Sequence, residues 1–206
     1  MHGHPAAPAW RPGMVTGLIL AGGRGSRLGG IDKGLLDFRG TPLVQRVAQR
    51  LVGQVGGLLL SANRHVDRYR PLGFEALADG PYPDAGPLAG IRSGLAACAT
   101  DWLLVVPCDL PFVPLDLCQR LLGAAPSDDR SARVPFDGER HHYACLLLPR
   151  SALAPVTAAL DTGRRSLHGL LDDIGWLGVD FADQLHAFSN LNTPADVAGA
   201  LAAEVP

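Results

Sequence analysis

Between Leu20 and Lys33 the chain reads LAGGRGSRLGGIDK, with Gly22, Gly23, Gly25, Gly29 and Gly30 set among Arg24, Arg27 and Lys33. Glycine lacks a Cβ, so backbone N–H groups there can approach a ligand closely, and three cations in the same stretch balance negative charge. That chemistry suits a polyphosphate. Two familiar phosphate loops do not fit. The pattern G-x-G-x-x-G begins at Gly23 and Gly25 but meets Leu28 where its third glycine belongs, and the P-loop needs Gly-Lys-Ser/Thr, whereas Lys33 stands between Asp32 and Gly34. A second chemical focus is Asp109, which ends the apolar run Trp102-Leu103-Leu104-Val105-Val106 after Pro107 and Cys108. A carboxylate so placed is costly unless it is paired or metal-bound. Magnesium takes hard oxygen ligands and commonly needs only one or two carboxylates beside phosphate oxygens, so Asp109 is expected to hold Mg²⁺, with Mn²⁺ as the alternative.

These groups need strands to hold them in place. Val15, Gly17, Leu18, Ile19 and Leu20 read as a buried strand running into the glycine loop. Leu35, Leu36 and Phe38 form a short extended piece, after which Thr41 offers an N-cap and Pro42 a first helical position for a helix carrying Leu43, Val44, Val47, Ala48 and Leu51. Leu58 to Leu60 form a second strand ending in Ser61-Ala62-Asn63-Arg64, and a weaker one from Phe74 to Leu77 ends at Asp79. The loop GPYPDAGPLAG leads into a helix with Leu88, Ile91, Leu95 and Cys98 on one side, followed by the central strand Trp102 to Val106. Pro114 begins a further helix with Leu117, Leu121 and Leu122 as its core face. Two strands, Arg133 to Phe136 and Ala144 to Leu148, flank the turn Asp137-Gly138. A helix from Ser151 to about Leu160, a basic Gly163-Arg164-Arg165 segment, a strand near Val179 to Phe181 and a final helix starting at Thr193-Pro194 complete the chain. Strands alternating with helices imply an α/β fold built on a single doubly wound, Rossmann-like, mostly parallel sheet with helices on both faces. In such a sheet the strands' carboxyl ends share one edge, so the glycine loop, Ser61, Asn63, Asp79 and Asp109 are expected to meet in one cleft.

Length and composition bound the remaining possibilities. A chain of 206 residues fits one domain, with residues 1–13 (MHGHPAAPAWRPG) expected as a flexible leader and 14–206 as the folded unit. The formal net charge of -2 gives no basic field of the kind nucleic-acid binders use, so any phosphate site must be local. Glycine and proline together stay below the level of a disordered chain. No apolar signal core or membrane-length run is present, and Cys98, Cys108, Cys118 and Cys145 never fall at CxxC spacing. A cytoplasmic monomer with reduced thiols, binding neither membrane nor nucleic acid, is the expectation.

LAGGRGSRLGGIDKGLL, SANR, GPLAGI, PCDLP and NLNTP, in this order and with compatible spacing from about Val15 to Asp196, together resemble the molybdenum cofactor guanylyltransferases, the MobA type of nucleotidyltransferase. The resemblance implies transfer of GMP from GTP to the terminal phosphate of molybdenum-loaded molybdopterin, with release of pyrophosphate. It implies a catalytic set of Lys33, Arg27 and Asp109, with Lys33 and Arg27 on the nucleotide phosphates and Asp109 on Mg²⁺. Leu20, Ala21, Gly22 and Gly23 would contact the nucleotide, and Ser61, Asn63 and Asp79 would line the nucleoside pocket. Asn190 and Asn192 would face molybdopterin, with Arg164 and Arg165 as additional anion contacts. The implied partners are GTP and molybdopterin, and, downstream, cofactor-insertion machinery and apo-molybdoenzymes. Relatives that make the cytosine dinucleotide resemble LAAG where this chain has LAGG, so Gly22 favours guanine. The family pattern has Asn where Ser61 stands, and His-Pro where His142-Tyr143 stands. A cytidylyltransferase, another nucleotidyltransferase and a non-catalytic cofactor carrier are the alternatives. Joining two anionic phosphates is mainly positioning and charge neutralisation, which needs no covalent nucleophile.

Overall fold

The computed structural model describes residues 11–21, 32–63, 65–191, 193, 196 and 198–200. In chain order its strands are β1 (Val15–Leu20), β2 (Asp37–Phe38), β3 (Thr41–Pro42), β4 (Gly57–Ser61), β5 (Ala76–Leu77), β6 (Trp102–Pro107), β7 (Ala132–Phe136), β8 (Leu146–Pro149) and β9 (Trp176–Asp180). The α-helices are α1 (Leu43–Leu51), α2 (Val66–Tyr69), α3 (Pro87–Ala97), α4 (Leu117–Gly123), α5 (Leu153–Asp161) and α6 (Leu167–Ile174).

Strand β1 is buried along its whole length because helices cover both of its faces. Its side chains alternate accordingly. Val15 and Ile19, with Leu104 and Val106 of β6, pack toward α1, α2 and α4, whereas Leu18 and Leu20, with Leu103 and Val105, pack toward α3, α5 and α6. Among the described residues a sheet of seven strands results, in the order β5-β4-β1-β6-β8-β7-β9. Strands β5, β4, β1 and β6 are mutually parallel, and β7 is parallel to β9. Only β8 is reversed, pairing antiparallel with both β6 and β7. The expected α/β, mostly parallel sheet with helices on both faces is therefore observed.

Helix α3 lies unusually close to β1 and β4. A Cβ added at Gly90 would stand 2.4 Å from Ser61 Oγ, and one at Gly94 would stand 2.6 Å from Leu18 Cδ2. The missing side chains at these two positions set the helix-to-sheet distance.

Several local expectations change. Thr41 does not cap α1: Thr41–Pro42 pairs antiparallel with Asp37–Phe38, and the helix starts at Leu43 with no side-chain cap. Arg39 and Gly40, at φ of 55° and 74°, make the tight turn between the two strands, which suits the twist of a hairpin. Helix α4 starts at Leu117 rather than Pro114, and the strand expected from Phe74 pairs only at Ala76–Leu77. Helix α6 was not anticipated, and the strand near Val179 begins already at Trp176. Where the final helix is expected to start, Thr193 Oγ1 accepts from the Asp196 N–H at 3.0 Å while Asp196 Oδ2 accepts from the Thr193 N–H at 2.8 Å; Pro194 and Ala195 lie outside the described residues.

Candidate active site

Strands β4, β1 and β6 end level with one another, Leu20 standing opposite both Ser61 and Pro107. The ladder runs one residue further: Ala21 N–H donates to Ser61 O at 2.9 Å, and Cys108 N–H donates to Leu20 O at 3.0 Å. Ala21, Asn63 and Asp109 therefore leave the sheet side by side on its carboxyl edge. Gly22, Gly23, Arg27 and the rest of 22–31 lie outside the described residues.

The chain re-enters at Asp32, and Lys33 opens a single 3-10 turn, Lys33–Leu35. Asp32 Oδ1 holds this turn, accepting from the Gly34 N–H at 3.1 Å and from the Tyr69 hydroxyl at 2.5 Å. Lys33 Nζ donates to Asp109 Oδ2 at 3.4 Å, across 76 residues of sequence. The Asp109 side chain is 13% exposed, and its other oxygen, Oδ1, is buried with no hydrogen-bond partner among the described residues. A carboxylate with one oxygen on a lysine and the other unsatisfied can take up a further cation. Burial, then the negative charges of Asp109 and Asp32, push the Cys108 thiol well above its ordinary range, so the neighbouring sulfur stays protonated.

On the β4 side, Asn63 and Asp79 make a reciprocal pair. Asn63 Nδ2 donates to Asp79 Oδ2, and the Asp79 N–H donates to Asn63 Oδ1 at 3.2 Å. Burial raises the Asp79 carboxyl pKa, and the Asn63 hydrogen bond only partly offsets it. Ser61 is placed differently: its side chain is buried under Gly90 of α3, and its carbonyl is what reaches the edge, holding Ala21.

On the other side of β6 the reversal of β8 matters. The chain leaving β6 and the chain entering β8 separate at the same edge, and a cavity of about 170 Å³ lies between them, lined by Pro107, Leu110, Arg140, His142, Tyr143 and Asn190 among others. Asp137 shapes the wall: Oδ1 accepts from the Glu139 and Arg140 N–H groups at 2.9 and 2.8 Å, and Oδ2 lies 2.7 Å from His142 Nε2. Burial opposes the charged form of Asp137, but the Arg140 and Glu139 backbone donors and His142 outweigh it and hold the carboxyl at about 2. His142 stacks on Phe188, and burial lowers its pKa more than Asp137 raises it. The late segment is tied in by Leu191, whose N–H donates to the Asp109 carbonyl at 2.9 Å, which brings Asn190 to the cavity. Asn192 lies outside the described residues. Arg164 donates to Asp173 on the exposed surface, and α6 borders the cavity wall where His168 packs edge-on against Tyr143.

The structure thus gathers Lys33 and Asp109 in direct contact, with Ala21, Asn63 and Asp79 on one side and Asn190 on the other. Asp32, Tyr69 and the Asp137–His142 pair escaped the sequence reading. Tyr69 carries the one available hint, since a buried tyrosine hydroxyl needs a partner. A larger cavity, about 670 Å³, runs along α4 between Trp102 and Asp180 and contains none of these site groups.

Residues 17–174 match the family model of the MobA-like NTP transferase domain. The chain belongs to the MobA-like nucleotidyltransferases. Curated relatives place it more finely within this family: molybdenum cofactor guanylyltransferases of Cupriavidus metallidurans (41% identical, over 87% of this chain and 90% of that one) and Histophilus somni (39%, over 89% and 94%). Among solved structures, molybdopterin-guanine dinucleotide biosynthesis protein A of Archaeoglobus fulgidus superposes at a TM-score of 0.72 with 21% identity, covering 90% of this chain and 96% of that one. The 2-C-methyl-D-erythritol 4-phosphate cytidylyltransferase of Thermus thermophilus superposes at 0.67 with 17% identity, covering 90% and 96%. These structural likenesses speak for the MobA-like nucleotidyltransferase fold. No helix among the described residues is long and apolar enough to cross a membrane.

Proposed function

We propose that this enzyme transfers GMP from GTP to the terminal phosphate of molybdenum-loaded molybdopterin, giving the guanine dinucleotide cofactor and pyrophosphate. One observation carries the reading: the Lys33–Asp109 contact, with its unsatisfied Oδ1, sits between the Asn63–Asp79 pair and the cavity at Asn190. That is one charged centre flanked by two binding regions, as a reaction joining two phosphates requires.

Asn63 and Asp79 bind the nucleoside, with Leu20, Ala21, Gly22 and Gly23 close to it. Lys33 and Arg27 neutralise the GTP phosphates. Asn190 and Asn192 hold molybdopterin, with Arg164 as an additional anion contact. An oxygen of its terminal phosphate attacks the α-phosphorus, the bond to the bridging oxygen of the β-phosphate breaks, and pyrophosphate departs with the electron pair. A phosphate monoester is mostly dianionic near neutral pH, so no base is needed to create the nucleophile. Asp109 Oδ1, a buried hard donor without a partner among the described residues, fits Mg²⁺ or Mn²⁺. When bound, such an ion supplies charge neutralisation to the phosphates. Among the described residues no three His, Cys, Asp or Glu side chains gather as a ready-made metal cage, so its other ligands would come from the nucleotide and water. The four cysteines are buried thiols and none is in a disulfide, which fits a reducing, cytoplasmic setting.

Pyrophosphate release is the test, run with GTP, CTP, ATP and UTP in the presence of Mg²⁺ and molybdenum-loaded molybdopterin. Release with GTP alone, lost in Asp109→Ala, is expected. Release with CTP in preference would move the product to the cytosine dinucleotide, and tight GTP binding without release would mark a carrier.

A further inference from the structure

Tyr69 is fully buried among apolar side chains, yet its hydroxyl reaches the turn that carries Lys33. At 2.5 Å from Asp32 Oδ1, it donates one of the short, charge-assisted O–H···O⁻ bonds that are about twice as strong as neutral ones. Asp32 immediately precedes Lys33, and the same oxygen accepts the Gly34 N–H, closing the turn on its other side. Burial, then the Asp32 hydrogen bond, raises the pKa of the Tyr69 hydroxyl far above its ordinary value, so it is a donor near neutral pH. Gly34 completes the arrangement. A Cβ there would stand 2.6 Å from Tyr69 Oη and 3.3 Å from the ring carbon Cε1, so only glycine leaves the hydroxyl room to reach Asp32. Tyr69 itself ends α2, the short helix that follows the Asn63 segment.

We propose that Tyr69 is a positioning residue: its hydrogen bond to Asp32 fixes the turn that aims Lys33 at the phosphates beside Asp109, and it ties that turn to the chain segment carrying Asn63. The inference rests on the phosphate role of Lys33 proposed above. It goes beyond that role in assigning the lysine's geometry to a buried side chain that touches neither substrate. The pair Tyr69 and Gly34 then acts as one unit, because the hydroxyl of one occupies the space that the missing side chain of the other leaves.

The test is a double-mutant cycle with Tyr69→Phe and Gly34→Ala, read as kcat and KM for GTP in pyrophosphate release with molybdenum-loaded molybdopterin, alongside the thermal midpoint of each variant. Tyr69→Phe should lower kcat on the order of 10-fold, with KM for GTP changed by less than about 3-fold and the thermal midpoint lowered by several degrees while the variant stays folded at the assay temperature. Gly34→Ala alone should be slower still, because the new methyl displaces the hydroxyl. The double variant should be faster than Gly34→Ala, since phenylalanine removes the closest contact. Asp32→Asn, which keeps an acceptor oxygen, should retain more activity than Asp32→Ala. Lys33→Ala serves as the reference: if it is impaired while Tyr69→Phe turns over at the parental rate, or if the two substitutions simply add, the positioning role is wrong and the phosphate role stands. If Lys33→Ala itself is fully active, both fall together.

Discussion

Asp109→Asn offers a sharp separation between what the site does for the fold and what it does for the reaction. The native carboxylate has an oxygen buried without a partner among the described residues, and a group left so costs about 1–3 kcal/mol, more when it is charged. Against this stands the Lys33 contact at 3.4 Å, whose lysine side chain is 36% exposed; such a pair contributes about 1 kcal/mol or less. Asparagine keeps the shape and still leaves one buried polar atom at the Oδ1 position, but it removes the charge that makes that burial most costly and gives up only the smaller of these two quantities. The expected result is a gain of about 1 kcal/mol, or roughly 2–4 °C in thermal midpoint for a chain of this size. Turnover should move the other way, falling on the order of 10²-fold or more with the loss of a preorganised charged group at the phosphates. Thermal unfolding without nucleotide or metal, run beside pyrophosphate release, measures both. In addition, GTP with Mg²⁺ should raise the parental midpoint by mass action and raise that of the variant much less. A variant that melts clearly below the parent, or that keeps its turnover, would refute the balance drawn here, because Asp109 would then be a structural anchor.

Gly90→Ala should destabilise the fold by about 1–2 kcal/mol, since overpacking against Ser61 Oγ at 2.4 Å and Leu20 Cδ2 at 3.0 Å outweighs the gain of nearly 1 kcal/mol in helix propensity. Urea midpoints would show it, with Ser61→Ala partly relieving the loss; an unchanged or higher midpoint would mean α3 shifts freely. Stability should also fall with pH in two stages. The folded protein disfavours the charged form of His142, so the unfolded chain takes up more protons, and stability drops as pH falls below the ordinary histidine value near 6.5. Asp137, held at about 2 when folded, gives a contribution that is complete above the ordinary carboxyl value near 3.9 and is lost as pH falls toward 2. Urea unfolding between pH 3 and 7, repeated with His142→Asn and Asp137→Asn, should lose the upper stage in the first variant and the lower stage in the second.

The buried strands and the edge they share were legible because β1 and β6 are continuous apolar runs ending abruptly in polar residues, a pattern with few other readings. The meeting of Lys33 with Asp109 was likewise foreseeable, since both follow strands that end on that edge. The direction of β8 was not: hydrophobic pattern marks a strand but carries no sign of its polarity, which depends on how the 137–145 segment turns back. With that reversal went the cavity beside Asn190. Helix α6 was hidden because Gly169 interrupts a short run whose basic prelude, Gly163-Arg164-Arg165, looked like loop; its signal was Ser166, whose Oγ accepts the Gly169 N–H. Thr41-Pro42 resembled a helix start so well that the positive φ at Arg39 and Gly40 decided the matter instead. Ser61 and Tyr69 show the same limit from opposite sides. A polar residue at a strand end faced the helix, and an aromatic residue amid apolar neighbours reached the site with its one polar atom.

The hydrogen bond from Leu191 to the Asp109 carbonyl joins a residue to one synthesised much earlier in the chain. Strands β1, β4 and β6 can pair while translation is still under way, because domains fold progressively as they emerge. The loop after β6, however, acquires this backbone partner only when residue 191 has cleared the ribosome. A nascent chain can therefore hold paired β1, β4 and β6 and still lack the tie between the Leu191 segment and the loop that carries Asp109.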